Sequence, residues 1–380
     1  MSKLGSRRRY PFLRIVWLAA FMGFVTAAFL GMVELYTHSL NKEKTVVMDP
    51  ALFAEPPMAG FRVESVVKQQ ISEQVKQAQL LPTSNALLYW LKDIRSADGT
   101  GLHFIDLATG GSEVYQPNEP VQNAIASADG TKAVYITYSV GDVPYIVYYD
   151  IVQKKIIRSW QDWPLPIAMP DDRHSLELLG LDILLRDLDT GQTRTVARLS
   201  SSGTDIPKND LSMVKWVASP DQSRIYVSLP SIGQPDQGVL LSIVPASGDV
   251  SKLAEGEVYD FSTLGSGSLL VSGRMNGQEG IFKWDGQQGL RLVKQGSFQN
   301  VAANTNGDGA AYSMRTADGQ FKLMAARVKG DRLVDETTVY SDPGYVRMLQ
   351  WKKDEPVLVC MAENISGTYV YQFRFGNRKP

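Results

Sequence analysis

The chain of 380 residues is poor in the residues that usually carry chemistry. It has one cysteine and three histidines, and its 39 basic and 40 acidic residues leave a formal net charge of −1. A single cysteine excludes a disulfide framework and any multi-cysteine zinc site within the chain. Near-zero charge excludes a broadly basic nucleic-acid binder. No G-x-S-x-G nucleophile turn occurs anywhere, and helical periodicity is almost absent after residue 82. With 44% hydrophobic residues the chain can still build a packed core.

The longest apolar run is Ile15 to Val33, with Thr26 its one mildly polar residue. Its length crosses most of a hydrocarbon core of about 30 Å. Lys3, Arg7, Arg8, Arg9 and Arg14 precede it, and Glu34, His38 and the mixed Lys42-Glu43-Lys44 follow. This asymmetry predicts an uncleaved single-pass anchor with a cytoplasmic basic tail over 1–14, a transmembrane helix over 15–35 and everything later outside the cell membrane. A cleaved signal peptide competes, but Val25-Thr26-Ala27 is a poor small-x-small site and lies inside the run. A buried core helix fits the basic flank badly. Setting aside the first 40 residues leaves 34 basic against 39 acidic. The remainder is not built to bind nucleic acid or lie on anionic lipid. Residues 36–60, with Asp49-Pro50 and Glu55-Pro56-Pro57, read as an extracytoplasmic linker.

From about residue 75 a unit recurs. Its most legible copy, Val121 to Trp160, contains a strand, a Ser127-Ala128-Asp129-Gly130 turn, a second strand, a loop, a third strand ending in Asp150, a turn and a fourth strand. The first turn returns as Pro170-Asp171-Asp172, Ser219-Pro220-Asp221, Gly265-Ser266-Gly267, Asn306-Gly307-Asp308-Gly309 and Lys353-Asp354-Glu355, with a weaker copy at Pro82-Thr83-Ser84-Asn85. The spacing of roughly 42–50 residues is that of a four-stranded propeller blade. A second turn falls between strands three and four, as Asp106-Leu107-Ala108-Thr109-Gly110, Asp187-Leu188-Asp189-Thr190-Gly191, Val244-Pro245-Ala246-Ser247-Gly248, Trp284-Asp285-Gly286 and Val328-Lys329-Gly330. The sequence therefore predicts an all-β chain with a β-propeller of about seven four-stranded blades over 61–380.

These units resemble the WD40-like repeats of TolB-type β-propellers, through a Ser-Pro-Asp-Gly-like first turn and an Asp-Leu-x-Thr-Gly-like third turn. The resemblance covers about residues 75–376 and implies architecture, since this fold hosts many roles. TolB-type proteins are typically soluble and periplasmic with an additional N-terminal domain. Here an apolar run precedes the repeats, so their partners are not carried over.

The last unit offers three strands only, Tyr345 to Trp351, Val357 to Ala362 and Tyr369 to Phe375. Phe61 to Lys68 is the candidate fourth strand, joining the chain ends and removing an open edge. The alternative is a helix over Val63 to Gln79, with Val63, Val67, Ile71 and Val75 at i, i+4 spacing.

Single residues yield little chemistry. His103 reads as a strand residue, His174 as a turn residue and His38 as membrane-proximal surface. Cys360, in Val357-Leu358-Val359-Cys360-Met361, reads as a buried inert thiol. Asn304-x-Asn306-x-Asp308-Gly309 imitates the opening of a calcium loop, but Arg315 stands where the bidentate glutamate belongs, so it reads as a blade turn. Asp182, Asp187 and Asp189 near Arg186 suggest a surface ion-pair group. Asn364-Ile365-Ser366 is a sequon. Tyr135, Tyr138, Tyr145, Tyr148 and Tyr149 gather in one blade, as packing between sheets or as an exposed binding edge. No catalytic, cofactor-binding or metal-binding residue is expected, and no cofactor. The expected role is a membrane-anchored binding, scaffold or sensing module for a protein or cell-envelope ligand. The alternative is an enzyme of hydrolase, lyase or lactonase type working in the propeller's central funnel.

Overall fold

The computed structural model describes residues 45–48 and, from 62 to 376, all but 72–73, 82–84, 92–100, 116–119, 139–142, 162–163, 181, 199–214, 220, 230–237, 266 and 287–288. Before residue 45 it describes Met22 and Thr26 alone, both helical, with the Thr26 hydroxyl donating to the Met22 carbonyl at 2.9 Å. The tail, the anchor and His38 otherwise lie outside the described residues. Among the described residues no helix is long and apolar enough to cross a membrane.

Among the described residues the chain from Thr45 onward is all-β, a compact unit of antiparallel sheets. Among the described residues its strands form seven successive blades: 75–115, 123–160, 165–198, 215–255, 256–295, 298–341, and a last one joining 345–376 to 62–71. The inner strands are Val75–Leu81, Asn123–Ala126, Leu165–Ala168, Lys215–Ala218, the second half of Asp249–Leu264, Phe298–Ala303 and Tyr345–Trp351. Each touches the next around a closed ring, Tyr345–Trp351 meeting Val75–Leu81.

The core is divided the same way. Seven apolar clusters occupy the seven seams between blades, one cluster per seam. Alternation along each strand sends successive side chains into the seams on its two sides. In Pro144–Asp150, Val147 and Tyr149 pack toward blade 1, while Ile146 and Tyr148 pack toward blade 3. Tyr135, Tyr148 and Tyr149 are buried and Tyr138 and Tyr145 half-buried. Tyr135, Tyr145, Tyr148 and Tyr149 pack between sheets, and Tyr138 donates its hydroxyl to Gln122 at 3.1 Å.

The recurrent turns have a side-chain cause. Ser127 Oγ accepts from the Lys132 amide at 3.1 Å and donates to Asp129, whose Oδ1 accepts from the Thr131 amide at 3.0 Å. Ser219 and Asp221 repeat this with the Arg224 and Ser223 amides. In the other turn type Asp106 and Asp187 accept from amides two or three residues ahead, and Gly110 and Gly191 supply the positive φ.

The last blade settles the choice between strand and helix. Arg62–Ile71 is a strand, antiparallel to Gly367–Gly376 from Arg62↔Gly376 to Ile71↔Thr368, with a bulge at Glu64. It runs three residues past Lys68, and Val75–Leu81, the end of the helix alternative, is blade 1's inner strand. Thr45–Met48, read as part of a linker, pairs outside it as a fifth strand, Thr45↔Gln69 to Met48↔Val66. A short strand covering an otherwise open edge is the physical reason for that departure.

Candidate functional site

Blades stand radially, so each inner strand turns an edge without a ladder partner toward the axis. Its backbone groups need partners from elsewhere. Side chains of neighbouring blades supply them. Gln79 accepts from the Ala126 amide at 3.0 Å and donates to the Ala126 carbonyl at 3.3 Å. Gln350 accepts from the Leu80 amide at 2.9 Å, and Trp351 Nε1 donates to the Ala302 carbonyl at 3.3 Å. Asn123 donates to the Pro166 carbonyl at 3.4 Å. Ser262 accepts from the Ala303 amide at 3.0 Å, and Asp260 accepts from the Val301 amide at 3.3 Å. Lys215 meets Asp260 at 3.2 Å across the seam between blades 4 and 5.

Inside this ring lies a cavity of about 920 Å³ to which all seven blades contribute. Its walls include residues at or near the start of the inner strands, such as Lys76, Asn123, Lys215, Glu257, Gln299 and Tyr345. The last residues of those strands, Leu81, Ala126, Ala168, Ala218, Leu264, Ala303 and Trp351, are not among its walls. The cavity therefore belongs to one end of the ring, here called the mouth. The strand ends Leu91 and Leu102, Arg198 and Lys215, and Leu229 and Val239 fall at that end.

The mouth is polar and mostly self-paired. Arg347 donates to Glu363 at 2.8 and 2.5 Å, and Arg274 lies 3.4 Å from Glu279. Tyr259 donates to Glu257 at 3.1 Å, and burial, followed by the Glu257 charge, pushes its phenol up to about 12. Lys76 differs, since its ammonium donates at 3.2 Å to a carbonyl, that of Gln122 in blade 2, and no carboxylate pairs with it among the described residues. Trp90 also lines the cavity, is 1% exposed, and has no hydrogen-bond partner for its indole N–H among the described residues.

The residues singled out in the sequence lie elsewhere. His103 is buried in blade 1 with its ring 5.0 Å from that of Tyr89. His174 is in blade 3, with Nδ1 2.9 Å from an Asp171 oxygen. The two histidines are not brought together, and no three His, Cys, Asp or Glu side chains gather as a ligand set among the described residues. Cys360 is buried, and burial pushes its thiol pKa up. Asn304 bonds the Asp308 and Gly309 amides within a blade turn, as the sequence suggested. In the sequon, Asn364 accepts from the Ser366 amide at 2.8 Å.

Arg186 corrects the sequence reading. It is not part of a surface group but pairs with Glu177 at 2.8 Å, their side chains 3% and 0% exposed, and also donates to the Gly191 carbonyl. Asp182 faces Arg198, and Asp187 accepts from the Thr190 amide in its turn. Alternation carried the missed signal: in His174–Leu179, Glu177 shares a sheet face with Ser175, which pairs across the strands with Arg186.

No protein-family model and no curated protein matches the sequence. Solved structures do. The fold defines a β-propeller, and its structural neighbours include the WD40 repeats of RRP9, aligned with a TM-score of 0.55 at 10% identity over 85% of this chain and 100% of that one. The β-propeller domain of Cps50 (Swd1) from Myceliophteria thermophila aligns with a TM-score of 0.54 at 14% identity, covering 82% of this chain and 99% of that one. A chain of a mitotic checkpoint complex aligns with a TM-score of 0.57 at 12% identity, over 85% and 95%. TolB from Acinetobacter baumannii aligns at 17% identity over 72% and 68%, with a TM-score of 0.45 that carries no weight. At these identities the likeness is one of fold. This chain has the fold of a β-propeller.

Proposed function

We propose that the chain is a binding or scaffold module that receives a protein or cell-envelope ligand at the mouth of its propeller, while the segment 15–35 holds it to the cell membrane with the N-terminus inside. The observation that carries the binding reading is the cavity at the end of the ring where the inner strands begin, lined by all seven blades. Concave sites of this size with a few fixed polar groups are where proteins hold ligands. The structural neighbour that belongs to a mitotic checkpoint complex is consistent with an interaction module. The anchor reading is supported by the apolar run and its basic flank. The hydrogen bond from Thr26 to Met22 is how a helix accommodates a hydroxyl without water.

The test uses the full chain in its native membrane with a photoreactive side chain at Tyr345, on the mouth, or at Lys353, in a turn at the opposite end. Crosslinks to a defined partner should form from position 345 and not from 353. Equal crosslinking from both ends refutes the mouth as the site. An externally active reporter enzyme fused after Pro380 should be active, and an inactive but folded reporter refutes the proposed orientation.

A further inference from the structure

The seam between blades 1 and 2 holds two features that no other part of the mouth explains. The register of the Val75–Leu81 and Ala86–Leu91 pair slips between Val75 and Gln77, so Lys76 is the extra residue of a bulge, directly before Gln77, which faces Trp90. A bulge re-aims the side chain it inserts, and Lys76 crosses to blade 2 to reach the Gln122 carbonyl. That carbonyl uses one of three ammonium donors. The other cations on the cavity wall, Lys215 and Arg347, are each paired with a carboxylate, Asp260 and Glu363. The indole N–H of Trp90, which stands opposite Gln77 next to the Lys76 bulge, is buried and without a partner among the described residues, a state that costs folding free energy unless something else satisfies it. The groups with hydrogen-bonding capacity to spare are therefore one indole N–H and the remaining ammonium protons, beside the neutral amides of Gln77 and Gln79, with no carboxylate paired to Lys76 among the described residues. Ile125 and Ala124 of blade 2 add an apolar wall to the same cavity.

We propose that this seam is a carboxylate-binding subsite, in which Trp90 donates its indole N–H and Lys76 its ammonium to the two oxygens of one acid group. The inference rests on the reading of the mouth as the binding end and deepens it by naming the ligand's chemistry. The acid can come from a small free carboxylate or from an aspartate or glutamate side chain of a partner protein. A lone carboxylate suits the site because a planar two-oxygen acceptor can satisfy two separate donors at once.

The full-length chain in detergent, labelled with ¹⁵N at its seven tryptophan indoles, tests this directly, with Trp90→Phe assigning the resonance. The probes are sodium acetate, a short peptide with blocked termini and one central aspartate, and the same peptide with asparagine. Acetate or the aspartate peptide should move the Trp90 indole resonance saturably, and the asparagine peptide should leave it in place. Lys76→Met should weaken the response about tenfold, the loss of one charge-assisted hydrogen bond. An aspartate peptide binding about tenfold or more tighter than acetate assigns a protein side chain as the source, and equal affinities assign a small acid. A Trp90 resonance that ignores both acids, or that moves equally with the asparagine peptide, overturns the subsite. The asparagine arm needs no variant, so it stands even where Trp90→Phe or Lys76→Met folds poorly. If position 345 crosslinks its partner while Trp90 ignores acids, the subsite alone falls; if crosslinking also fails, the binding reading falls with it.

Discussion

Arg186 and Glu177 form an ion pair almost wholly removed from water, with Ser175 Oγ as a further donor to Glu177 at 2.8 Å and the guanidinium 5.3 Å from the Trp160 ring. Such a pair is held because separating it strands a charge. Glu177→Leu should therefore cost about 3–5 kcal/mol, since it leaves a buried guanidinium with no counter-charge, whereas Glu177→Leu with Arg186→Met should recover most of that loss. Urea unfolding of both single variants and the double variant measures the coupling, and additive losses would refute it. Alkali gives a second residue-scale prediction. Burial, reinforced by the charge of Asp189 for Tyr148 and of Glu257 for Tyr259, pushes both phenols up to about 12. The folded state thus keeps protons that the unfolded chain releases near a pH of about 10. Stability from these groups is intact below that pH and falls between about 10 and 12. Phenolate absorbance during alkaline titration should rise together with unfolding, and a smooth rise in a still-folded protein would contradict it.

At the scale of elements, Gly256 governs one device. Asp249–Leu264 is a single strand that serves as the outer strand of blade 4 and the inner strand of blade 5, changing role at Gly256, where φ is +141°. A Cβ there would lie 2.3 Å from the Arg274 carbonyl oxygen. Gly256→Ala should cost about 2–3 kcal/mol through backbone strain and that clash. Gly277→Ala, also at positive φ but with no atom within 4 Å of the new Cβ, should cost only about 1–2 kcal/mol. Comparing their thermal melts separates the close approach from the φ requirement, and equal losses would leave φ as the sole cause. The repeat was readable because each turn is stabilised by its own residues, as Ser127, Asp129 and Thr131 show. The closing strand was ambiguous because i, i+4 spacing satisfies a helix and an alternating strand alike: Val63, Ile71 and Val75 are all buried, but in two strands. The Lys76 and Trp90 seam was not readable at all. It depends on a bulge and on a blade-to-blade approach, neither of which leaves a local pattern.

At the scale of the whole molecule, one strand from the start of the described propeller holds the ring shut. Arg62–Ile71 gives Val63 and Val66 to the seam between blades 6 and 7, and Ile71 to the seam between blades 7 and 1. Gln69, buried beside them, donates to the Gly110 carbonyl of blade 1 at 2.9 Å, and Gln372 donates to the neighbouring Leu107 carbonyl. Losing three buried aliphatic side chains at about 1.5–3 kcal/mol each removes roughly 5–9 kcal/mol. That matches the entire stability of many domains, about 5–15 kcal/mol. A form beginning at Ser72 should therefore fail to fold or melt far below one beginning at Thr45. A form beginning at Asp49 lacks only the outermost strand. It should melt close to the Thr45 form but aggregate faster, because the edge of Arg62–Ile71 is then uncovered. A peptide of residues 62–71 added to the Ser72 form should restore a cooperative melt by refilling the blade, provided the edge of Gly367–Gly376 is its docking site. If the Ser72 and Thr45 forms melt within a degree or two of each other, about the resolution of such a comparison, closure does not depend on this strand, and the seams among the other six blades must hold the ring alone.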